Sequence, residues 1–177
     1  MDNVLTGKVW IITDKNKNLI DDIDTDMIFH NAHLAITDIK EMGKYAFGNL
    51  EGWEDFPQKT EKNDIIIVGK NFGAGSSRQQ AVDCFRSLGC SLIIAESFGA
   101  IYKRNAINAG FPILTMDSLP EKISLEIENR EELKVNLETG VLFNISKNNP
   151  VGKTDPFSKV QMDIYKAGSL FAYAKGL

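Results

Sequence analysis

The chain has 177 residues, of which 43% are hydrophobic and 25% charged, as is typical of a soluble globular protein with one core. A net charge of −4 and a pI near 5.2 give no electrostatic support for binding nucleic acid or an anionic membrane. The apolar runs are too short to span a bilayer, and no secretory signal is expected at the N-terminus. Cys84 and Cys90 form no disulfide framework, so we expect a cytoplasmic protein.

The first third of the chain predicts one strand followed by polar loops. Residues 7–13 are rich in β-branched and aromatic side chains and predict a strand. The Asp- and Asn-rich residues that follow predict a loop. Thr37 or Asp38 is expected to cap a helix over residues 39–48, and residues 49–63 are predicted to be a loop.

The middle of the chain predicts a parallel sheet with crossover helices. Apolar runs at residues 64–69, 91–98 and 111–117 predict strands that are covered on both faces. Apolar residues at helical spacing predict helices over residues 77–89 and 100–110, each ending at a glycine. This β–α–β–α–β order implies parallel pairing with right-handed crossovers.

The last part of the chain changes character. Apolar and polar residues alternate around Ile123–Ile127 and again around Leu133–Leu137, which predicts an antiparallel meander within residues 122–146. Asp155 and the proline after it predict the start of a final helix that Gly168 would break. The whole predicts a single α/β domain with a mixed, largely parallel core and antiparallel β additions.

The stretch GKNFGAGSSRQQA, Gly69–Ala81, predicts a binding loop between a strand and a helix. Its glycines allow sharp turns and the close approach of another molecule. Ser76 or Ser77 is expected to cap the helix, whose free first-turn N–H groups form an anion site. Arg78 adds a planar guanidinium that fits a carboxylate or phosphate. The loop is therefore predicted to bind a small anion beside two hydroxyls.

Other loop types fit this stretch less well. A phosphate-binding P-loop needs Gly-Lys followed by Ser or Thr, and the dinucleotide fingerprint needs a further glycine. A nucleophile elbow also needs a second glycine, and a hydrolase needs a histidine base. The histidines, His30 and His33, lie together in one early segment. A turn that serves only strand–helix packing remains an alternative.

Four blocks of sequence then resemble the small subunits of the aconitase superfamily, in particular those of 3-isopropylmalate dehydratases. They are DIDTDMI at 22–28, NFGAGSSR at 71–78, ESFGAIYKRNAINAGFPIL at 96–114 and KAGSL at 166–170. The resemblance spans most of the chain. It implies one swivelling β/β/α domain of the aconitase C-terminal type over residues 1–177. It further implies a hydro-lyase subunit that interconverts 2-isopropylmalate and 3-isopropylmalate by dehydration and rehydration in leucine biosynthesis.

The resemblance also implies which partners complete the enzyme. A large subunit is expected to carry a 4Fe–4S cluster, and the substrate is expected to be a small hydroxy-dicarboxylate. A cluster needs three or four thiolates, whereas this chain has only Cys84 and Cys90, so we expect no metal or cofactor in the chain itself. Both cysteines are expected to be small buried hydrophobes. Self-association of the isolated chain is left open.

By position, the resemblance assigns roles to five residues. Ser76 corresponds to the base that acts on the substrate carbon, and Asp26 to the acidic residue that orients the polar groups. Arg78 corresponds to the carboxylate-binding arginine, assisted by Ser77 and Gly75. A serine hydroxyl is a poor base unless its alkoxide is stabilised, which a helix N-terminus and a guanidinium would provide.

Several residues depart from the family pattern or have plainer explanations. The family commonly has Gly-Cys-Gly-Ser-Ser-Arg-Glu-His, whereas this chain has Ala74, Gln79 and Gln80 in place of the Cys and the Glu-His pair. Ala100 stands where an arginine is frequent. These changes predict a different local hydrogen-bond network. Asp24 is expected to be a turn or cap residue, which is also the alternative for its neighbour at position 26.

Four residues match the loop that contacts the substrate's variable arm in relatives: His33, Leu34, Ala35 and Ile36. Homoaconitase-like relatives place an arginine at the position of Ala35 to bind a further carboxylate. Without that cation, burying a third carboxylate is costly, so an apolar arm such as isopropyl is favoured. Dimethylmalate, citraconate or methylmalate, and homoaconitate enzymes remain alternatives, as does a non-catalytic anion-binding module. Leu34 and Ile36 could instead be core residues, and His33 could line the pocket or cap the next helix.

Overall fold

A computed structural model describes residues 1–176 except the side chains of Pro120 and Ser124, and it is built around a mixed β-sheet. The strands are β1 Val4–Ile11, β2 Ile65–Val68, β3 Leu92–Ala95, β4 Ile113–Thr115, β5 Glu132–Asn136, β6 Val141–Asn144 and β7 Asn149–Lys153. Over the described residues these strands form one seven-stranded sheet in the order β4-β3-β2-β1-β5-β6-β7.

The central strand β1 separates a parallel half of the sheet from an antiparallel half. β1 pairs with β2, β2 with β3 and β3 with β4 in parallel. On its other edge β1 pairs antiparallel with β5, which continues through β6 to β7. Every residue of β2 and β3 is buried, as their apolar runs predict. The prediction of an α/β fold with a parallel core and antiparallel additions is confirmed.

The helices are α1 Thr25–Ile28, α2 Ile39–Met42, α3 Phe56–Lys59, α4 Gln80–Leu88, α5 Ala100–Asn108, α6 Leu119–Glu126, α7 Lys159–Ala167 and α8 Leu170–Lys175. Asp38 caps α2 as predicted, but a 3₁₀ turn at Gly43–Tyr45 follows at once, so the helix stops short of residue 48. α3 lies inside the stretch predicted to be a loop. Across the described residues, no helix combines the length and apolarity needed to cross a bilayer.

The predicted strand around Ile123–Ile127 is wrong, because this stretch forms α6. Leu119 is fully buried and Ile123, four residues on, packs beside the same core cluster, so both lie on one helical face. Leu125 is 76% exposed. A short run of alternating apolar residues fits both the two-residue period of a strand and the 3.6-residue period of a helix. Here tertiary packing selects the helix.

The predicted start of the last long helix at Asp155 is also wrong. Ser158 is the N-cap of α7 and forms a capping box with Gln161, which satisfies the backbone donors of both residues. Asp155 instead accepts a hydrogen bond from the Thr115 hydroxyl. The helix ends at Gly168, whose φ of 89° is left-handed, as the sequence predicts.

Helices cover the sheet on both faces and form two core clusters. On one face α2–α5 pack against the parallel strands around a group of fully buried aromatic rings: Phe47, Phe56, Phe72, Phe85 and Tyr102. On the other face α6 and α7 pack against β1–β3 and the antiparallel strands. The loops that follow β2 and β3 are therefore held on a rigid platform.

Asp64, immediately before β2, is a buried ionic anchor between three segments. Its carboxylate is 2% exposed and accepts hydrogen bonds at 2.7 Å from Trp10 Nε1 and Arg130 Nη1. It also accepts the Glu61 backbone N–H at 2.9 Å. The Arg130 guanidinium lies 4.3 Å from the centre of the Trp10 ring, so the cation is paired on two sides.

Asp64→Ala is expected to lower the free energy of unfolding by about 3 kcal/mol, because it leaves a guanidinium and an indole N–H without their buried acceptor. Glu61→Ala is the matched control, since Glu61 is 63% exposed and its ion pairs lie at the surface. That variant should lose no more than about 1 kcal/mol. Urea unfolding followed by circular dichroism measures both values. Equal losses in the two variants would contradict the anchoring role.

Candidate active site

Backbone pairing brings the DIDTD segment against the glycine-rich loop. Gly73 N donates to Ile23 O at 2.7 Å, and Thr25 N donates to Ala74 O at 2.9 Å. The two segments run parallel through a bridge between Asp24 and Ala74. Two sequence blocks far apart in the chain therefore meet at the carboxyl end of the parallel strands.

Two glycines of the loop adopt conformations that other residues avoid. Gly73 has a φ of 77°, and a Cβ there would lie 2.2 Å from the Tyr102 ring of α5. Gly75 has a φ of 93°, and its Cβ position is open apart from Thr25 Oγ1 at 3.7 Å. Gly73 is thus required by close packing, whereas Gly75 leaves space above the loop for another molecule.

The prediction that Ser76 or Ser77 caps the helix is wrong. α4 begins at Gln80, and its N-cap residue Gln79 makes no side-chain capping bond. Residues 76–78 lie outside the helix, Arg78 pairs with Asp26, and both serines are exposed. Within residues 1–176 no acceptor is recorded for the backbone N–H groups of residues 76–80. The free donors therefore extend over a longer stretch than a capped first turn would leave.

Arg78 and Asp26 form the central ion pair of the site. Nη1 of Arg78 lies 2.6 Å from Asp26 Oδ1 and also donates to Phe29 O at 2.9 Å. The Arg78 side chain is 14% exposed, so its charge is largely shielded from water and needs these partners. The hydrogen bond from Arg78 holds the pKa of Asp26 below its usual range, with further help from the Asn31 N–H.

Asn49 and His30 complete the surroundings of Asp26, and sequence reasoning assigned neither of them to the site. Asn49 Nδ2 donates to Asp26 Oδ2 at 3.1 Å, and His30 Nε2 lies 3.9 Å from the same oxygen. No motif surrounds Asn49, and only the folded chain brings it to Asp26. The expectation for Asp24 is confirmed, because its carboxylate caps α1 by accepting two backbone N–H groups.

Asn105 of α5 contacts the second serine. Its Nδ2 donates to Ser77 Oγ at 3.2 Å, which holds the position of that oxygen. Asn105 belongs to the ESFGAIYKRNAINAG block, which resembles the family, but sequence reasoning assigned no role to this residue. The site therefore draws on α1, the loop before α4, and α5.

The predicted specificity residues lie beside the start of α4. Leu34 and Ala35 are exposed, whereas Ile36 is half-buried and packs against the core cluster. The His33 ring stacks on Tyr45 with centroids 4.0 Å apart. Asp38, not His33, caps the next helix. Leu34 and Ile36 were the two candidates for the core, and of these only Ile36 packs inward.

Both cysteines are buried and separate from these groups. Burial raises the pKa of the Cys84 thiol well above its usual range and that of Cys90 to about 12, so neither is a ready thiolate. Among the described residues, no three His, Cys, Asp or Glu side chains are grouped to hold a metal ion. The cysteines do not suit a cluster that binds through several thiolates.

Comparison with known proteins gives consistent matches. The Aconitase C-terminal domain model matches residues 49–119. The 3-isopropylmalate dehydratase small subunit of Caldicellulosiruptor bescii is 37% identical over 94% of this chain and 96% of its own length. That of Aquifex aeolicus is 40% identical over 96% and 93%, respectively. The isopropylmalate/citramalate isomerase small subunit of Methanocaldococcus jannaschii is 36% identical over 99% and 96%.

A solved structure agrees with the sequence matches. The crystal structure of 3-isopropylmalate dehydratase from Methanocaldococcus jannaschii superposes with a TM-score of 0.82 and 30% identity, covering 98% of this chain and 94% of that one. The likeness therefore includes both halves of the sheet and not only the part matched by the domain model.

The Arg78–Asp26 pair predicts a pH-dependent stability. The pKa of Asp26 in the folded state lies below its usual value of 3.8, so its stabilising effect is complete above pH 3.8 and is lost as the pH falls through the folded pKa. The free energy of unfolding should therefore be higher for wild-type protein than for Asp26→Asn. This difference should be largest at neutral pH and should shrink below pH 3.8. Denaturant unfolding from pH 7 to pH 2.5 tests this. A difference that stays constant with pH would contradict it.

Proposed function

The chain belongs to the family of 3-isopropylmalate dehydratase small subunits, and we propose from this that it is the small subunit of a heteromeric hydro-lyase. The enzyme interconverts 2-isopropylmalate and 3-isopropylmalate by dehydration and rehydration in leucine biosynthesis, in the cytoplasm. The family members are small subunits, which implies a large partner subunit. In this proposal the partner carries the 4Fe–4S cluster, which supplies the Lewis acid that holds the substrate hydroxyl.

One observation carries the proposal: an exposed pair of hydroxyls lies in a run of free backbone donors beside a fixed guanidinium. Ser76 and Ser77 are exposed, and Arg78 is oriented by Asp26. This arrangement suits a dicarboxylate that presents one carboxylate to the arginine and a carbon–hydrogen bond to a hydroxyl. A loop serving only strand–helix packing would have no need to expose these groups together.

Ser76 is proposed as the base. Its oxygen takes the proton from the substrate carbon next to the one that bears the hydroxyl, and the electrons of the broken C–H bond form the double bond as the hydroxyl leaves. The oxygen can act as a base only if its negative charge is stabilised. In this proposal, free N–H groups of residues 76–78 and the cation of Arg78 would supply that stabilisation.

Arg78 is proposed to bind a substrate carboxylate. Its Nη1 is occupied by Asp26 and Phe29, while its other nitrogens have no recorded acceptor among residues 1–176. Those nitrogens can therefore donate to a ligand without breaking the ion pair. Ser77 and the backbone around Gly75 assist, with the Ser77 hydroxyl held by Asn105.

The apolar surface of Leu34 and Ala35 is proposed to receive the variable arm of the substrate. Neither side chain carries a charge that could pair with a third carboxylate, which disfavours homoaconitate. A smaller arm fits the same surface, so citramalate is the second candidate substrate. The Methanocaldococcus jannaschii relative named for both isopropylmalate and citramalate supports this alternative.

Ser76→Ala is expected to lower kcat by at least about 100-fold with the affinity for the large subunit unchanged, because it removes the proton acceptor alone. The assay is the hydration of the unsaturated intermediate by the chain mixed with a cluster-loaded large subunit, and binding is measured by calorimetry. The chain without its partner should be inactive. Full activity of Ser76→Ala would rule out the base assignment. Turnover by wild-type protein also separates an enzyme from a non-catalytic anion-binding module.

Ala35→Arg is expected to shift selectivity towards a substrate with an additional carboxylate. The new guanidinium can pair with that carboxylate, whereas it must lose hydration beside an isopropyl group. The ratio of kcat/KM for homocitrate to that for isopropylmalate should rise at least about tenfold. Ala35→Met, which adds a long side chain without charge, is the control. An equal loss on both substrates in the arginine variant would contradict the specificity assignment.

A further inference from the structure

The position of the predicted specificity residues depends on contacts from outside their own segment. Residues 31–36 form a 3₁₀ helix at Asn31–His33 and a turn after it, with mainly local backbone hydrogen bonds. Leu34 and Ala35 are exposed and have no place in the core. His33, stacked on Tyr45, and Ile36, packed against the core, hold the two sides of the segment. The turn between them at Leu34 and Ala35 has no packed side chain of its own to fix its distance from the neighbouring helix.

Two side chains at the start of α4 reach the backbone of this region. Arg78 Nη1 donates to Phe29 O at 2.9 Å, and Gln80 Nε2 donates to Leu34 O at 3.3 Å. In the described chain, the Gln80 contact is the only recorded hydrogen bond that joins residues 32–37 to a residue outside 30–38. The helix whose N-terminal loop presents the serine pair therefore also holds the specificity segment.

The chemistry of this tether suits an amide. Leu34 O only accepts hydrogen bonds, so the partner must be a donor, and a glutamine amide donates at every working pH. A glutamate at the same position would present only acceptors to the carbonyl and would add a negative charge beside the anion site. Gln80 is half-buried, whereas its hydrogen bond to Leu34 O lies at the surface, so the tether is one neutral hydrogen bond of ordinary strength.

We propose that Gln80 is a positioning residue for substrate selectivity. By holding Leu34 O, it helps to set the distance between the exposed side chains of Leu34 and Ala35 and the loop that carries Ser76 and Arg78. The inference rests on the proposed function, in which those two side chains receive the variable arm. Gln80 acts through the segment and not on the reacting atoms, so its loss should alter which substrate fits more than how fast the bound substrate reacts.

Gln80→Met tests the tether in the isolated full-length chain. The substitution keeps the length of the side chain and its helix preference but removes the donor. Hydrogen–deuterium exchange of the amides of residues 32–36 should become about fivefold faster, the factor expected from one neutral hydrogen bond. Gln79→Met is the matched control, because Gln79 is the preceding residue and its side chain donates to Asp83 of α4, with no hydrogen bond to residues 32–37 in the described part of the chain. Its exchange over residues 32–36 should match wild type.

The same variants test selectivity in the complex with the large subunit. In Gln80→Met, the ratio of kcat/KM for 2-isopropylmalate to that for citramalate should change by about fivefold, mainly through KM, with kcat within about twofold of wild type. Gln79→Met should keep the wild-type ratio. Gln80→Asn, whose amide is too short to reach the carbonyl, should behave like Gln80→Met.

The outcomes separate this inference from the proposed function. Unchanged exchange in Gln80→Met refutes the tether, and faster exchange with an unchanged substrate ratio refutes the selectivity role. A fall in kcat with the ratio unchanged would make Gln80 part of the reaction machinery and would also overturn the proposal. If the wild-type complex converts neither 2-isopropylmalate nor citramalate, the proposed function fails together with the selectivity role. Hydrogen–deuterium exchange in the isolated chain still shows whether the tether exists.

Discussion

The ion pair between Arg78 and Asp26 is the contact on which the candidate site depends. The two residues lie 52 positions apart, and backbone pairing alone brings their segments together without orienting their side chains. A mostly buried guanidinium is costly unless a carboxylate and further acceptors surround it. The pair meets that requirement and directs the remaining nitrogens of Arg78 away from Asp26. Arg78 lies in the non-helical stretch before α4, so the pair also ties to α1 the segment that exposes both serines.

The order of the strands makes this contact possible. β1 and β2 are parallel neighbours, so their carboxyl ends lie side by side and the chain leaves both strands on the same side of the sheet. The segment after β1 leads to Asp26, and the loop after β2 leads to Arg78. Crevices at the carboxyl ends of parallel strands are common binding places in open α/β sheets. The antiparallel half extends the other edge of β1 and contributes to the core beneath this platform.

Sequence patterns predicted the parts of the fold that follow from local chemistry. The apolar runs of β2 and β3 and the glycine that ends α7 needed no knowledge of distant residues. Serine before a helix is a good local signal for a cap, yet α4 begins only at Gln80, and the partner of Arg78 in the intervening stretch is a distant residue that the local pattern does not contain. Asn49 could not be predicted, since its role arises only where the folded chain meets Asp26. The alternation in α6 suited two periods, and only the packing of Leu119 decides between them.

Under the proposed function, the exposure of the serine pair gives a physical reason for a partner subunit in catalysis. Hydrogen bonds and a guanidinium stabilise an alkoxide far more in a dry site than in water, because water screens their charges. In the isolated chain, Ser76 and Ser77 face solvent, so the arrangement is oriented but not shielded. A second subunit that covers this edge would remove water and strengthen interactions already in place. On this view the small subunit contributes geometry, and its partner contributes the low-dielectric surroundings in which that geometry becomes effective.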